Sequence, residues 1–281
     1  VNVGLGLPIA DPPLLLDWAR RADAGPFTAL GLLDRLAYHN PEPMVTLAAL
    51  AGATTRIRVQ TEVLIAPLRR PALLAKQAAT LDRISGGRLV LGIGVGPRED
   101  DYLAAGVDFR GRGRRLDEQM ALMRRLWAGE PFGADVGPIG PAPARPGGPE
   151  VLFGGFKPAA LERVARWGDG FLAAVPPSRL GPLVDLVRRT WEEHARAGSP
   201  RIVAQANAAL GPREVVEDAR AAMGAYYAWT GQAEEMVAGM LTTPGEIRDA
   251  IARFEELGAD EVMLYCYGRD PAQVDRFAEV V

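Results

Sequence analysis

Cysteine, histidine and serine are scarce in this 281-residue chain, and each shortage removes a class of chemistry. The single cysteine, Cys266, lies in an apolar strand-like run, so neither an intrachain disulfide nor a thiolate zinc cluster can form. A lone thiol suits a reducing compartment, and a cytoplasmic location is expected. Two histidines, His39 and His194, are too few for a histidine-rich metal site, and no metal is expected. No Gly-x-Ser-x-Gly elbow occurs, which argues against a serine hydrolase of the usual α/β kind. No apolar run approaches the roughly 20 residues that span a bilayer, and no secretory leader is expected before the first strand-like run. The net charge of -3 offers no basic surface for nucleic acid or an anionic membrane.

What is present is an ordinary globular composition, 48% apolar and 24% charged, in a chain long enough to bury a sizeable core. Strand-like runs alternate with amphipathic ones. Strands are expected over 1–7, 27–33, 56–65, 86–97, 151–153, 170–175, 201–210 and 260–265. Helices are expected between them, several opened by proline or a capping residue, as in Asp11-Pro12-Pro13 and Thr243-Pro244-Gly245-Glu246. Eight strand–helix units imply parallel strands with right-handed crossovers. The expected fold is α/β, a closed (β/α)8 TIM barrel in a single domain over 1–281, with an open doubly wound sheet as the alternative.

Three segments stand outside the alternation. Residues 98–112 form a charged loop, and 212–242 a helical segment before the last strand. Residues 129–149 carry proline or glycine at 12 of 21 positions, a composition that predicts no regular element and suggests a surface excursion or lid.

In a barrel, chemistry collects at the C-terminal ends of the strands. The run Gly92-Ile93-Gly94-Val95-Gly96 ends the fourth strand with alternate glycines, which either relieve crowding or let a backbone or flat ligand approach. Gly154-Gly155-Phe156-Lys157 joins the fifth strand to a helix start. It reads as a simple turn, or as an anion site with Lys157 adding charge. Glu62 interrupts an apolar strand. Either it pairs with a neighbour such as Arg58, or it stands near a bound ring. Asp34-Arg35 ends the second strand, and His39 follows in a loop, as an exposed residue or as a general acid or base. The charges of 98–115 read as a solvated, ion-paired segment from which one or two groups could reach a phosphate or anionic substrate.

The runs Leu47–Arg58, Pro67–Gln77 and Leu81–Gly94, with Gly154-Gly155, Gly168-Asp169-Gly170 and Leu257–Val262, resemble the bacterial-luciferase-like family of flavin-dependent oxidoreductases. The similarity covers most of the chain and is strongest from Asp34 to Trp127. It implies a barrel that is commonly dimeric and binds reduced FMN or the deazaflavin coenzyme F420 at its C-terminal mouth. It also implies a separate reductase as partner, a small organic substrate, and a non-proline cis peptide at Glu62-Val63.

On this resemblance the expected activity is an FMN-dependent monooxygenase. The alternatives are an F420-dependent reductase or dehydrogenase, and a ligand-binding barrel without turnover. The expected coenzyme contacts are Glu62, Val63, Gly94, Val95, Gly96, Gly154, Gly155, Phe156 and Lys157. Arg35, His39 and Asp34 are the expected catalytic groups. The chain departs from the family pattern in three places. Arg35 stands where a histidine is frequent, and Val95 where luciferases carry an arginine and some deazaflavin enzymes a glutamate. Phe156-Lys157 replaces small hydroxyl residues.

Overall fold

In the computed structural model, which describes residues 1–281, each expected strand run contributes a stave. The strands are β1 (Asn2–Gly6), β2 (Ala29–Leu32), β3 (Arg58–Thr61), β4 (Leu64–Ile65), β5 (Leu89–Gly94), β6 (Pro131–Gly133), β7 (Val136–Pro138), β8 (Glu150–Gly154), β9 (Gly170–Ala173), β10 (Arg201–Asn207) and β11 (Glu261–Tyr265). The helices are α1 (Pro12–Ala24), α2 (Pro43–Ala53), α3 (Pro71–Ile84), α4 (Glu99–Ala105), α5 (Arg112–Trp127), α6 (Pro158–Trp167), α7 (Pro177–Glu193), α8 (Arg213–Tyr227), α9 (Ala233–Ala238), α10 (Pro244–Glu256) and α11 (Ala272–Ala278).

β3 and β4 are two halves of one stave, interrupted by a cis peptide at Glu62-Val63. Counted so, eight parallel staves run in chain order. The ring closes where β1 pairs with both β2 and β11, and where β3 and β4 both pair with β5. This is the TIM barrel, and closure excludes the open sheet. Proline opens most of the long helices. α10 carries the full capping box: the Thr243 hydroxyl accepts from the Glu246 N–H at 3.2 Å, and the Glu246 carboxylate accepts from the Thr243 N–H at 3.0 Å.

Inside the barrel, the side chains of Ala29, Val90, Leu152, Leu172, Val203 and Met263 form a dry middle layer, with Val63 packed on top. Below it lies a charged layer. The fully buried Glu261 takes Arg58 at 2.9 Å as well as Arg201 and Thr28, and Arg201 also reaches Glu150 at 2.9 Å. These pairs plug the N-terminal end.

The first of the alternate glycines serves the backbone. The Thr61 carbonyl lies where a Cβ on Gly92 would be, and the Thr61 hydroxyl donates to the Gly92 carbonyl at 2.7 Å. Both readings of that run hold in part: Gly92 admits another backbone, while Gly94 and Gly96 relieve crowding by the Val63 and Ile65 side chains.

Two excursions differ from expectation. The 98–112 segment includes the helix α4, opened by Glu99, Asp100 and Asp101 in its first turn, where acids suit the helix dipole. Residues 129–149 contain the antiparallel hairpin β6–β7 and cannot act as a lid. They follow α5, which runs back towards the N-terminal face, and they are tied there. The Asp82 carboxylate at the lower end of α3 accepts from the Ala144 N–H at 2.8 Å, and Gly148 lies against the Trp127 ring.

Candidate active site

The C-terminal mouth is built on glycines of the first two staves. Gly6 leaves room for the Tyr265 ring, and Gly31 leaves room for the Glu62 carboxyl group. Glu62 does not pair with Arg58. Four residues along one strand separate their Cα atoms by about 13 Å, and Glu261 has taken the arginine. The one hydrogen bond to the Glu62 carboxyl comes from Gln60 Nε2 at 2.6 Å, and Glu62 Oε2 is buried without a partner. Burial raises the carboxyl to about 8, and the Gln60 donor only partly offsets it. Glu62 is therefore a neutral acid at pH 7.

Val63 packs directly against the glycines of the neighbouring staves. The Val63 methyls occupy the space beside Gly94 and Gly154, 2.7 Å and 2.9 Å from where Cβ atoms would stand. Gly96 faces the Ile65 side chain. Gly94 and Gly154 thus seat Val63, and Val63 forms the floor of the mouth. The Val95 carbonyl accepts from the Tyr102 hydroxyl at 2.5 Å.

The polar ends of β2 are used structurally. Both Asp34 oxygens are occupied: Oδ2 accepts from the Ile65 N–H at 2.8 Å and from Arg69 at 2.6 Å, and Oδ1 accepts from Arg69 at 3.1 Å. Arg35 is buried and donates to Asp101 at 2.6 Å, while Asp101 also accepts from the Leu36 and Ala37 N–H groups. His39 is exposed, with its ring 4.2 Å from that of Tyr38.

Beyond β8, Gly155 adopts φ 140° and a Cβ there would strike Ala160, so the turn into α6 requires glycine. Phe156 and Lys157 are exposed, and Lys157 makes no ion pair. The Arg179 guanidinium, also without an ion pair, lies 5.9 Å from the Phe156 ring. Two free cations therefore flank this turn. Arg179 also lines a cleft of about 540 Å³ at the ends of β9 and β10, together with Gln205, Asn207, Tyr227, Met236 and Phe254.

The cover over the mouth comes from the helical segment before the last strand. The chain leaves the barrel at Ala208 and returns at Leu241, which bridge each other, so α8 and α9 are an insertion on the C-terminal face. Tyr226 packs edge-on against Tyr38 at 5.5 Å. The Tyr267 hydroxyl donates to that of Tyr227 at 3.0 Å, and Arg98 lies 5.0 Å from the Trp229 ring. Sequence reasoning missed this role. The available signal was the aromatic run Tyr226-Tyr227-Ala228-Trp229 within a stretch too long for one barrel helix. Asn207 and Tyr265 stand at the C-terminal ends of β10 and β11.

No helix is long and apolar enough to cross a membrane, and no group of three or more His, Cys, Asp or Glu side chains is placed to hold a metal ion.

Residues 4–239 match the family described as luciferase-like monooxygenase. An uncharacterised protein of Mycobacterium tuberculosis is 39% identical over 160 residues, 54% of each chain. The F420-dependent glucose-6-phosphate dehydrogenase of Intrasporangium calvum is 33% identical over 180 residues, 57% of this chain and 53% of that one. The chain thus spans about half the length of these curated relatives. An F420-dependent secondary alcohol dehydrogenase, solved with an F420-acetone adduct, superposes with a TM-score of 0.82 at 21% identity, over 100% of this chain and 98% of that one. At that identity the likeness concerns the fold. The chain belongs to the luciferase-like family of oxidoreductases, whose members use FMN or F420.

Proposed function

We propose that this chain is an F420-dependent oxidoreductase that transfers hydride to or from a small organic substrate at the C-terminal mouth. Glu62 carries the reading: a carboxylic acid that stays neutral at pH 7, with one oxygen unpartnered, in the floor of the mouth. Hydride chemistry on a carbonyl-type substrate needs a proton donor beside the reacting centre, and a protonated acid meets that need. The 33% identity to the F420-dependent Intrasporangium enzyme supports the same choice.

The residues present fit such a coenzyme. The Gly155 turn presents backbone N–H groups at the start of α6, and Lys157 and Arg179 are free to pair with a phosphate there. When bound, the coenzyme supplies or accepts the hydride. The chain's own residues bind, orient and keep water out. Val63 closes the floor, and Tyr38, Tyr226, Tyr227 and Tyr267 wall the mouth. On this reading a separate reductase recycles the coenzyme. A second copy of the chain covers α2, a helix without a charged residue that exposes Val45 and Ala49.

A reduced-FMN monooxygenase is the second reading, favoured by the family description that matches residues 4–239. Anaerobic calorimetric titration with F420, FMN and their reduced forms tests both. Preferential binding of F420 is the expected result. Preference for reduced FMN moves the assignment to oxygen chemistry, and binding of none leaves a barrel without redox function.

A further inference from the structure

Tyr265, Gly6, Gly31 and Gln60 stand at one level of the barrel, because the register pairs Gly6 with Tyr265, Gly6 with Gly31, and Gly31 with Gln60. The row continues on the other side to Asn207, paired with Tyr265. Neighbouring staves are about 4.8 Å apart, and residues paired in parallel strands point to the same side. The two glycines bring the polar groups together: the Tyr265 ring fills the space over Gly6, and the Glu62 carboxyl that over Gly31. Asn207, Tyr265, Glu62 and Gln60 therefore form one polar row across the floor of the mouth.

Each member of the row keeps a buried polar atom without a partner: Asn207 Oδ1, the Tyr265 hydroxyl, Glu62 Oε2 and Gln60 Oε1. Gln60 is fully buried and Tyr265 is 2% exposed, so bulk water does not satisfy these two. Four orphaned polar atoms in one row are costly unless hydrogen-bonded groups bridge them. At one end the row opens to solvent, because Asn207 lines the 540 Å³ cleft. At the other end it stops at Gln60, beside the apolar Val90.

We propose that this row is a proton relay: Glu62 donates its proton to the substrate in the mouth and is recharged from the cleft through Tyr265 and Asn207. The Glu62 carboxyl gives a proton to the reacting atom and becomes a carboxylate. The Tyr265 hydroxyl then gives its proton to Glu62 and takes one from a water at Asn207, and the hydroxide left there takes a proton from solvent in the cleft. No electrons move in any transfer, and the row ends as it began. Gln60 holds the Glu62 carboxyl in place.

The charged neighbours suit an acid that is neutral at rest. Glu261 in the layer below disfavours ionisation of Glu62, and Arg201, already paired to Glu261 and Glu150, only partly opposes it. The remaining ionisable groups near Tyr265 are Tyr226, Tyr227 and Tyr267, all held neutral by burial.

The inference rests on the hydride-transfer reading of the mouth, but its test needs no coenzyme. Infrared difference spectra of the ligand-free protein identify the Glu62 carboxylic acid band as the one missing in Glu62→Gln. Transfer into heavy water then times the exchange of its proton. The expected result is an acid still protonated at pH 7, whose exchange slows about tenfold or more in Tyr265→Phe and in Asn207→Leu. In both variants the acid stays protonated at pH 7. Exchange as fast in both variants as in the parent, or a Glu62 already ionised at pH 7, overturns the relay. Asn207→Leu lies at the rim and keeps the test intact if Tyr265→Phe does not fold. Failure of F420 to bind would remove the hydride-transfer reading and leave the exchange result standing.

Discussion

The side chain of Val63 fills the space that a side chain on Gly94 would need, 2.7 Å from the position of its Cβ. It does the same beside Gly154 on the next stave, so one valine is seated between two glycines. The floor of the mouth depends on that arrangement.

Gly94→Ala and Gly154→Ala are each expected to destabilise the fold by about 1–3 kcal/mol through overpacking. Urea denaturation reads the loss. Combining either with Val63→Ala should recover part of it, because the two changes share one space. A purely additive double variant would mean that Val63 and the glycines are not coupled.

Asp34→Asn is expected to cost about 3 kcal/mol, the scale of breaking a buried ion pair, because Arg69 loses its bidentate partner. Thermal unfolding measures it. Unchanged stability together with loss of turnover would return Asp34 to the catalytic role that its place at a strand end suggests.

Lys157→Ala and Arg179→Ala should each weaken coenzyme binding by about tenfold or more, the scale of one charge-assisted hydrogen bond. The effect should shrink as salt is added, because both groups are exposed. Calorimetric titration at two ionic strengths reads both. Full affinity in the two variants would place the phosphate elsewhere.

Glu62 makes stability depend on pH with a definite sign. Its carboxyl is raised in the folded state from 4.5 to about 8, so between those values the folded chain binds more protons than the unfolded one. Its contribution is fully present below the lower value and declines as pH rises towards the upper one. Glu62→Gln removes this dependence. It should therefore gain stability over the parent as pH rises through that window, by several kcal/mol at most. Denaturant midpoints at the two ends of the window give the comparison. An equal difference at both ends would mean that Glu62 is ionised in the folded protein.

The barrel was legible in the sequence because its signals are local. Apolar runs of strand length, proline at helix starts and the Thr243–Glu246 capping box each act within a few residues. The location of the third-strand break at Glu62-Val63 followed from the family resemblance. The turn at Gly154-Gly155 was also marked, since a glycine pair between a strand and a helix has few other uses.

Tertiary structure alone decided which polar groups are free. Asp34 meets Arg69 across 35 residues and Arg35 meets Asp101 across 66, and no local pattern announces either pair. Arg58 was claimed by Glu261 from the far end of the chain, which left Glu62 unpaired beside Gln60. The cover likewise depends on where a helix sits relative to the mouth: the proline-rich 129–149 segment lies at the opposite face, and Tyr226 and Tyr227 close the top. Sequence determines periodicity and turns through short-range sterics and hydrogen bonds. The partner of a buried charge is set by strand register and ring closure, which exist only once the barrel has formed.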